Sequence, residues 1–357
     1  MGQPNAAFDT VLGGVTAVVV TRGRSLYLPK ALVALAGQDT MPSRVVLVDA
    51  GGQADPAIAE MAIRCGIPKE ILSVVHAVRA KNFGQAAAAG LRSHNGEGAI
   101  WLLHDDCYPN PDCLTELASA LELAPSVGVV GPKQVRADSP DLLGEVGVSQ
   151  THFGRRVPNG HDGELDQGQF DALEDVLGVG SAGMLIRADV WLALGGLSPA
   201  LGPFRDGLDF ARRARLAGYR VIVAPAARLE HEQATYRGLR GAAVRRGKRE
   251  ARTAEPERSY RARRRAWVFT LLTNCSLPAL LPLALCALVA GAGRFVWRIA
   301  RKEFRLAADE VVAPLSVILR PVGVLRARYV AARTRRLARR SLAPLLVSAG
   351  AARVARR

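Results

Sequence analysis

Over roughly its first 125 residues the chain repeats one alternation: a short apolar run, a turn, then a stretch with the apolar spacing of a helix. The runs lie at residues 15–20, 45–48, 72–78 and 99–103, and the helix-patterned stretches at 26–36, 56–65, 85–91 and 113–123. Strands alternating with helices at this spacing specify an α/β domain on a mostly parallel sheet. In such sheets ligands bind beyond the carboxyl ends of the strands. Thr21, Asp49 and Asp105 stand at three of those ends. No Lys or Arg precedes Arg22, and the run at 15–20 is too short for a signal peptide, so it reads as a buried strand.

Residues 134–172 are rich in Gly and Asp with little period, which predicts a long surface loop of the kind that often carries function. Order resumes with an apolar run at 184–186, helices near 188–194 and 208–216, and a strand at 219–223. No internal repeat is present.

A chain of 357 residues has room for about two domains, and 49% hydrophobic against 22% charged residues excludes wholesale disorder. Five cysteines with no CxxC pair exclude a disulfide scaffold and a structural zinc site, and fit a reducing compartment. The net charge of +16 is unevenly spread. Residues 237–357 hold 28 Lys and Arg against 6 Asp and Glu, whereas residues 1–236 hold 20 against 26. An acidic globular part thus precedes a basic tail suited to nucleic acid or anionic lipid. Three segments follow: an α/β domain at 1–236, a basic linker at 237–265 and a tail at 266–357.

Residues 266–293 form 28 positions without a charge, more than the roughly 20 that a spanning helix needs. Pro278 and Pro282 either kink that span or split it into a hairpin. Its two flanks are both basic, so a hairpin with both ends cytoplasmic fits the charge better than one crossing. Beyond it, residues 306–357 alternate apolar stretches with Arg clusters, the pattern of basic amphipathic helices on an anionic membrane. Few aromatics and the long uncharged interruption argue against a nucleic-acid partner.

The strongest constellation is Ile100-Trp101-Leu102-Leu103-His104-Asp105-Asp106-Cys107, an apolar strand that delivers adjacent carboxylates at its exit. Hard divalent cations take oxygen ligands and commonly share one or two carboxylates with substrate phosphates. Asp49, at an earlier strand end, can accept a hydrogen bond from a ribose hydroxyl or a base. Further on, Phe204-Arg205-Asp206-Gly207-Leu208-Asp209 opens a helix with acidic residues, and Tyr219-Arg220-Val221, Pro225 and a lone His231 follow.

This ordered series resembles family 2 glycosyltransferases with a GT-A fold. The matching pieces are Val18-Val19-Val20-Thr21-Arg22, Val46-Leu47-Val48-Asp49, Lys81-Asn82-Phe83-Gly84-Gln85-Ala86-Ala87, Leu103-His104-Asp105-Asp106, residues 178–187, Leu194-Gly195-Gly196-Leu197 and residues 204–231. The resemblance covers about residues 14–235, and the tail is similar to that of actinobacterial members in which membrane segments follow the transferase domain. It implies a Rossmann-like, mostly parallel sheet flanked by helices, then a membrane-associated helical region, in an inverting hexosyl- or deoxyhexosyltransferase.

On the same resemblance, Thr21, Arg22 and Asp49 match positions that hold the nucleotide of a nucleotide-diphosphate sugar. Asn82 and Gly84 match the loop beside that donor. Asp105 and Asp106 match the carboxylate motif that holds Mg²⁺ or Mn²⁺ on the diphosphate, and His231 matches a His that completes the metal site. The turn before Asp206 and residues 180–183 match the acceptor side, and Asp206 falls in the motif that supplies the general base. The implied acceptor is a cell-envelope glycan or a lipid-linked one, reached from the cytoplasmic side of the membrane. An inverting transfer needs a base for the acceptor hydroxyl and a cation for the charge growing on the leaving diphosphate.

One departure stands out. The family usually carries two adjacent acidic residues at the base position, and here the pair is Asp206-Gly207. Asp206 is the expected base, Asp209 the weaker candidate, and an impaired enzyme serving as a binding module the alternative. The Gln-x-x-Arg-Trp motif of processive synthases is absent, against a chain-extruding enzyme. Gly178-Val179-Gly180-Ser181-Ala182-Gly183 matches the dinucleotide pattern but lies late in the chain and precedes a strand-like run, so it is set aside. The P-loop-like 241–248 has the wrong spacing and is set aside as well.

Overall fold

Alternate residues of the central strands feed two separate cores. In β1 (Val15–Thr21), Val15, Ala17 and Val19 join one buried cluster, while Val18 and Val20 join the other. β2 (Arg44–Asp49) and β4 (Ala99–His104) divide in the same way, with Val45 and Leu47, then Ala99, Trp101 and Leu103, on the first side. A sheet buried on both faces needs helices on both faces, which is why these runs are apolar throughout. The structure, a computed structural model, describes residues 14–172, 175–239, 259–348 and 350.

The helices α1 (Leu28–Ala36), α2 (Ala57–Arg64) and α3 (Phe83–Gly90) connect β1, β2, β3 (Leu72–His76) and β4. The next elements are β5 (Cys107–Pro109), α4 (Cys113–Glu122), β6 (Val127–Arg136), β7 (Ser139–Glu145), β8 (Val148–Thr151) and β9 (Arg156–Pro158). β10 (Leu185–Arg187), α5 (Ala188–Leu194), α6 (Asp206–Leu216) and β11 (Arg220–His231) complete the α/β part. One face of α1 buries Leu28, Leu32 and Leu35 completely, each contributing roughly 1.5–3 kcal/mol.

The main sheet runs β3-β2-β1-β4-β10-β6-β11-β5, with β7 alongside β6. Its first four strands are parallel, and β6 is parallel to β11. β10 runs antiparallel between β4 and β6, and β5 antiparallel to β11. This is the expected α/β architecture, with antiparallel strands confined to its second half.

The expected surface loop at 134–172 is different. The end of β6, then β7, β8 and β9, occupy much of its first part, up to Pro158. Register shifts in the β6–β7 pair and Pro140 within β7 break the alternation that a regular strand would show, which hid these strands in the sequence.

The 28-residue uncharged run is not one helix. It is divided between α7 (Tyr260–Asn274) and α8 (Leu280–Ala300), because Cys275 turns extended and Pro278 cannot join a helical ladder. α7 buries Val268, Phe269 and Leu272 against Leu201, Val317 and Val324. Among the described residues only α8 is long and apolar enough to cross a membrane, and just 11% of its apolar window is buried. α9 (Phe304–Ile318) and α10 (Pro321–Thr334) follow. The chain then returns to the α/β part: Leu342 packs with Val148, Leu177 and Leu208, and β12 (Leu346–Val347) pairs with β8. Of the basic linker, residues 240–258 lie outside the described residues, as does the P-loop-like stretch.

Glu310 of α9 ties these helices together. Fully buried, it faces Arg294 of α8 at 2.7 Å, Arg264 of α7 at 3.1 Å and Arg298 of α8 at 3.7 Å, and it accepts a hydrogen bond from the Tyr260 hydroxyl. Gly291 lets α8 approach, since an added Cβ there would lie 2.6 Å from the Glu310 carbonyl oxygen. Removing one member of a buried ionic cluster leaves the others uncompensated, at about 3–5 kcal/mol. Glu310→Gln is therefore expected to destabilise the helical region by roughly 3 kcal/mol, read as a lower denaturant midpoint of the full chain in detergent; an unchanged midpoint would exclude the clamp.

Candidate active site

Register places the first polar group of residues at one sheet edge. Thr21 pairs with Asp49 across β1–β2, and Val20 with His104 across β1–β4, so Asp105 stands level with Thr21. The Thr21 hydroxyl donates to the Gly23 carbonyl at 2.8 Å and to Asp105 Oδ2 at 3.1 Å. Asp49 is completely buried, and its Oδ1 accepts from the amides of Gly23 (2.9 Å) and Gly51 (2.8 Å). Its Oδ2 has no hydrogen-bond partner and lies 3.5 Å from His76 Nδ1. A buried carboxylate oxygen without a donor is costly, and a ribose hydroxyl or base N–H would satisfy it.

Arg22 donates to the Lys81 carbonyl at 3.1 Å, joining the end of β1 to the loop before α3. Asn82 caps that helix: its Oδ1 accepts from the Gln85 amide, and its Nδ2 donates to the Pro199 carbonyl. At Gly84 an added Cβ would lie 3.0 Å from Leu197 Cβ. Both residues thus fasten α3 to the segment at 197–199.

Asp106 marks the second group. It is 2% exposed, and its Oδ2 accepts from the Ala234 amide at 2.9 Å. Its Oδ1 lies 3.6 Å from His231 Nε2 and 3.9 Å from His104 Nδ1. β5 is paired so that Cys107 sits directly opposite His231. Donor atoms of His104, Asp106, Cys107 and His231 all lie within 4.8 Å of one another. Asp105 turns instead toward Thr21, so the two carboxylates of the motif serve different neighbours. Burial alone would lower the His231 pKa, but the adjacent Cys107 and Asp106 outweigh it and raise it well above the usual value. Burial pushes the Cys107 thiol up.

Both histidines are oriented from their far nitrogens. Gln134 Nε2 donates to the Ala182 carbonyl, so its Oε1 is the atom 2.9 Å from His231 Nδ1 and accepts a proton from it. His104 Nε2 lies 3.2 Å from Ser181 Oγ, and the ring packs against Phe83 with centroids 4.3 Å apart.

The third group opens α6. Asp206 is buried, and burial raises its carboxyl to about 6 despite hydrogen bonds from the Gly207 amide (2.9 Å) and Ser181 Oγ (3.2 Å). The residue before it, Arg205, adopts a left-handed φ of 68° and donates to the Gly154 carbonyl. Burial lowers the Arg205 pKa to about 9, helped by the nearby guanidinium groups of Arg156 and Arg264. Asp209 is committed elsewhere, to a 2.9 Å ion pair with Arg213, whose other nitrogens donate to the carbonyls of Leu194 and Gly196. Gly207 is required by its surroundings: an added Cβ would meet the Ser181 amide at 2.5 Å and the Val179 carbonyl oxygen at 2.6 Å. The glycine-rich stretch from Gly178 thus packs onto the start of α6.

Asp106, His231, Asp206 and the group of Thr21, Asp49 and Asp105 therefore meet around one edge of the sheet. His104, Cys107, Ser181 and Gln134 belong to the same constellation, and the sequence reasoning missed their roles. The visible signal was four metal-binding residue types in succession, His104-Asp105-Asp106-Cys107. The absence of a CxxC pair says nothing about a single thiolate donor.

The family model described as "Glycosyltransferase like family 2" matches residues 13–268. Comparison with curated proteins gives no match. Among solved structures, GalNAc-T7 with UDP, GalNAc and Mn²⁺ is 12% identical with a TM-score of 0.49, over 62% of this chain and 44% of that one. The mannosyltransferase PcManGT from Pyrobaculum calidifontis, with GDP-Man and Mn²⁺, is 18% identical with a TM-score of 0.46, over 96% and 78%. S. aureus TarS 1–349 in complex with UDP is 16% identical with a TM-score of 0.46, over 90% and 88%. By the family match, which spans more than half of its length, the chain belongs to the glycosyltransferase-like family 2.

Proposed function

We propose that the chain is an inverting, metal-dependent glycosyltransferase that moves a hexose or deoxyhexose from a nucleotide-diphosphate sugar to a cell-envelope glycan or lipid-linked acceptor. The observation that carries the reading is the pairing of two separated acidic sites. One is the buried Asp106 beside His231, and the other is Asp206, with the His104–Ser181 contact between them. In this reading Thr21, Arg22 and Asp49 hold the nucleotide, with Asn82 and Gly84 keeping the adjoining helix in place, and Asp105 positions the donor. Asp106 and His231, whose donor atoms lie in one cluster, would hold Mg²⁺ or Mn²⁺, with Asp105 reaching the ion only by turning from Thr21. A bound cation would neutralise charge on the leaving diphosphate.

Asp206 takes the acceptor hydroxyl proton. Its desolvated carboxyl is raised to about 6, close to the working range of a general base. Gly207 does not weaken this reading, because the fold has no room for a second acidic side chain there. Arg156, Arg205 and Arg264 lie near one another beside the start of α6, a basic setting that suits a phosphate-bearing, lipid-linked acceptor. The catalytic part works on the cytoplasmic side, and α8 with the basic tail holds it to anionic lipid.

Thermal denaturation of the full chain against a panel of nucleotide-diphosphate sugars should show a Mn²⁺-dependent rise with one nucleotide class, lost in Asp106→Ala. No rise with any donor would leave the impaired module as the better reading. Asp206→Asn should cut turnover by about 10²–10⁴-fold with donor binding intact. In the wild type kcat/KM should climb with pH through about 6 and then level off, because only the ionised carboxylate accepts a proton. Gly207→Asp, which restores the usual acidic pair, should lower stability by about 1–3 kcal/mol and gain no activity. For the membrane, the exposed Leu281 and Leu285 of α8 are the contacts to remove. The wild type should stay on anionic vesicles in high salt, and the double variant Leu281→Lys, Leu285→Lys should be released; equal retention would reject α8 as the anchor.

A further inference from the structure

We infer that the metal centre of this chain takes a borderline transition-metal dication, with Cys107 as a thiolate donor and His104 as a second imidazole beside Asp106 and His231. The inference deepens the proposed transferase reading and rests on it for the role of the ion.

Four observations support it. First, the β5–β11 register sets Cys107 directly across from His231, and directly opposed residues project from the same face of a sheet. Second, all four donor atoms lie within 4.8 Å of one another, and metal bonds of about 2.0–2.3 Å would draw neighbouring donors to roughly 3–3.5 Å apart with a further position left for a phosphate oxygen.

Third, hydrogen bonds hold both rings from their far nitrogens. His231 Nδ1 donates to Gln134 Oε1, which turns Nε2 toward Asp106 Oδ1. His104 Nε2 meets Ser181 Oγ, which donates to Asp206 Oδ1, and this turns His104 Nδ1 toward the same Asp106 oxygen. Orientation of a ligating His from its far nitrogen is the usual arrangement at protein metal sites.

Fourth, the donors are chemically mixed. Mg²⁺ prefers oxygen ligands and keeps its waters, whereas thiolate and imidazole favour Zn²⁺, Co²⁺ and Fe²⁺. Cys107 is 1% exposed, so its sulfur is reserved for this interior and is not a surface thiol.

The test uses the full chain, stripped with chelator and titrated with Co²⁺ in the absence of nucleotide sugar. Wild type should develop visible d–d bands together with a thiolate-to-cobalt charge-transfer band in the near ultraviolet. Cys107→Ser, nearly isosteric, should keep the visible bands and lose the charge-transfer band. Gln134→Ala, which releases the His231 ring, should weaken Co²⁺ binding about 10–100-fold. Visible bands without charge transfer in the wild type, or a charge-transfer band unchanged in Cys107→Ser, would overturn the thiolate assignment even if Mn²⁺-dependent transfer is intact. The predicted spectra without turnover of any donor would support the metal centre and count against the transferase reading alone.

Discussion

The buried carboxylate of Asp106 is the constraint around which the site is organised. An ionised carboxylate in the interior is tolerated only where donors or cations compensate it. Here one oxygen is fixed by the Ala234 amide, just beyond β11, and the other faces two imidazoles. The tight turn between β4 and β5 delivers Asp106, β5 delivers Cys107 and β11 delivers His231. Strands and the short turn they hold therefore set the geometry.

From that centre a polar path runs outward through the protein. His231, Asp106, His104, Ser181 and Asp206 follow one another at distances of 3.2–3.9 Å. In a low-dielectric interior such a chain couples its members, so in the proposed reading charge arriving near Asp106 would be felt at Asp206. The close approach of the Gly178–Gly183 stretch to Gly207 makes this continuity available, because it brings Ser181 between His104 and Asp206. At Gly207 an acidic side chain is thus exchanged for backbone contact that positions Ser181 beside Asp206.

What the sequence showed and what it hid follow from the range of the interactions. The parallel half of the sheet was legible because each strand is a local apolar run, and Asp49, Asp105 and Asp106 were legible because they end those runs. His231 was legible only by its order in the series. The strands from β7 to β9 were hidden by irregular register, whereas β10 showed as the short apolar run at 184–186, without its antiparallel direction. Cys107 carried no role in the sequence, since its partner is 124 positions away and only the β5–β11 register joins them. The commitment of Asp209 to Arg213 was visible in principle as an i, i+4 pair, whereas the crowding at Gly207 depends wholly on tertiary approach.

The basic tail divides by the same logic. Its net charge alone reads as a surface that attracts anions, yet Arg264, Arg294 and Arg298 are turned inward onto Glu310. Neutralising α8's two arginines on its inner side leaves Leu281, Leu285, Val289 and Val296 on an outer face with no charge to keep it in water. The ionic cluster and the apolar face are therefore one device: without the first, burying the second in lipid would carry unpaired guanidinium groups with it. Arg301 and Arg305 lie just beyond the end of α8, the position from which they would meet lipid headgroups, whereas the Arg336 amide donates to the Leu216 carbonyl at the end of α6. Because β12 and Leu342 return to β8 and α6, anchoring of this kind would fix not only where the catalytic part sits but also which face of it the acceptor approaches.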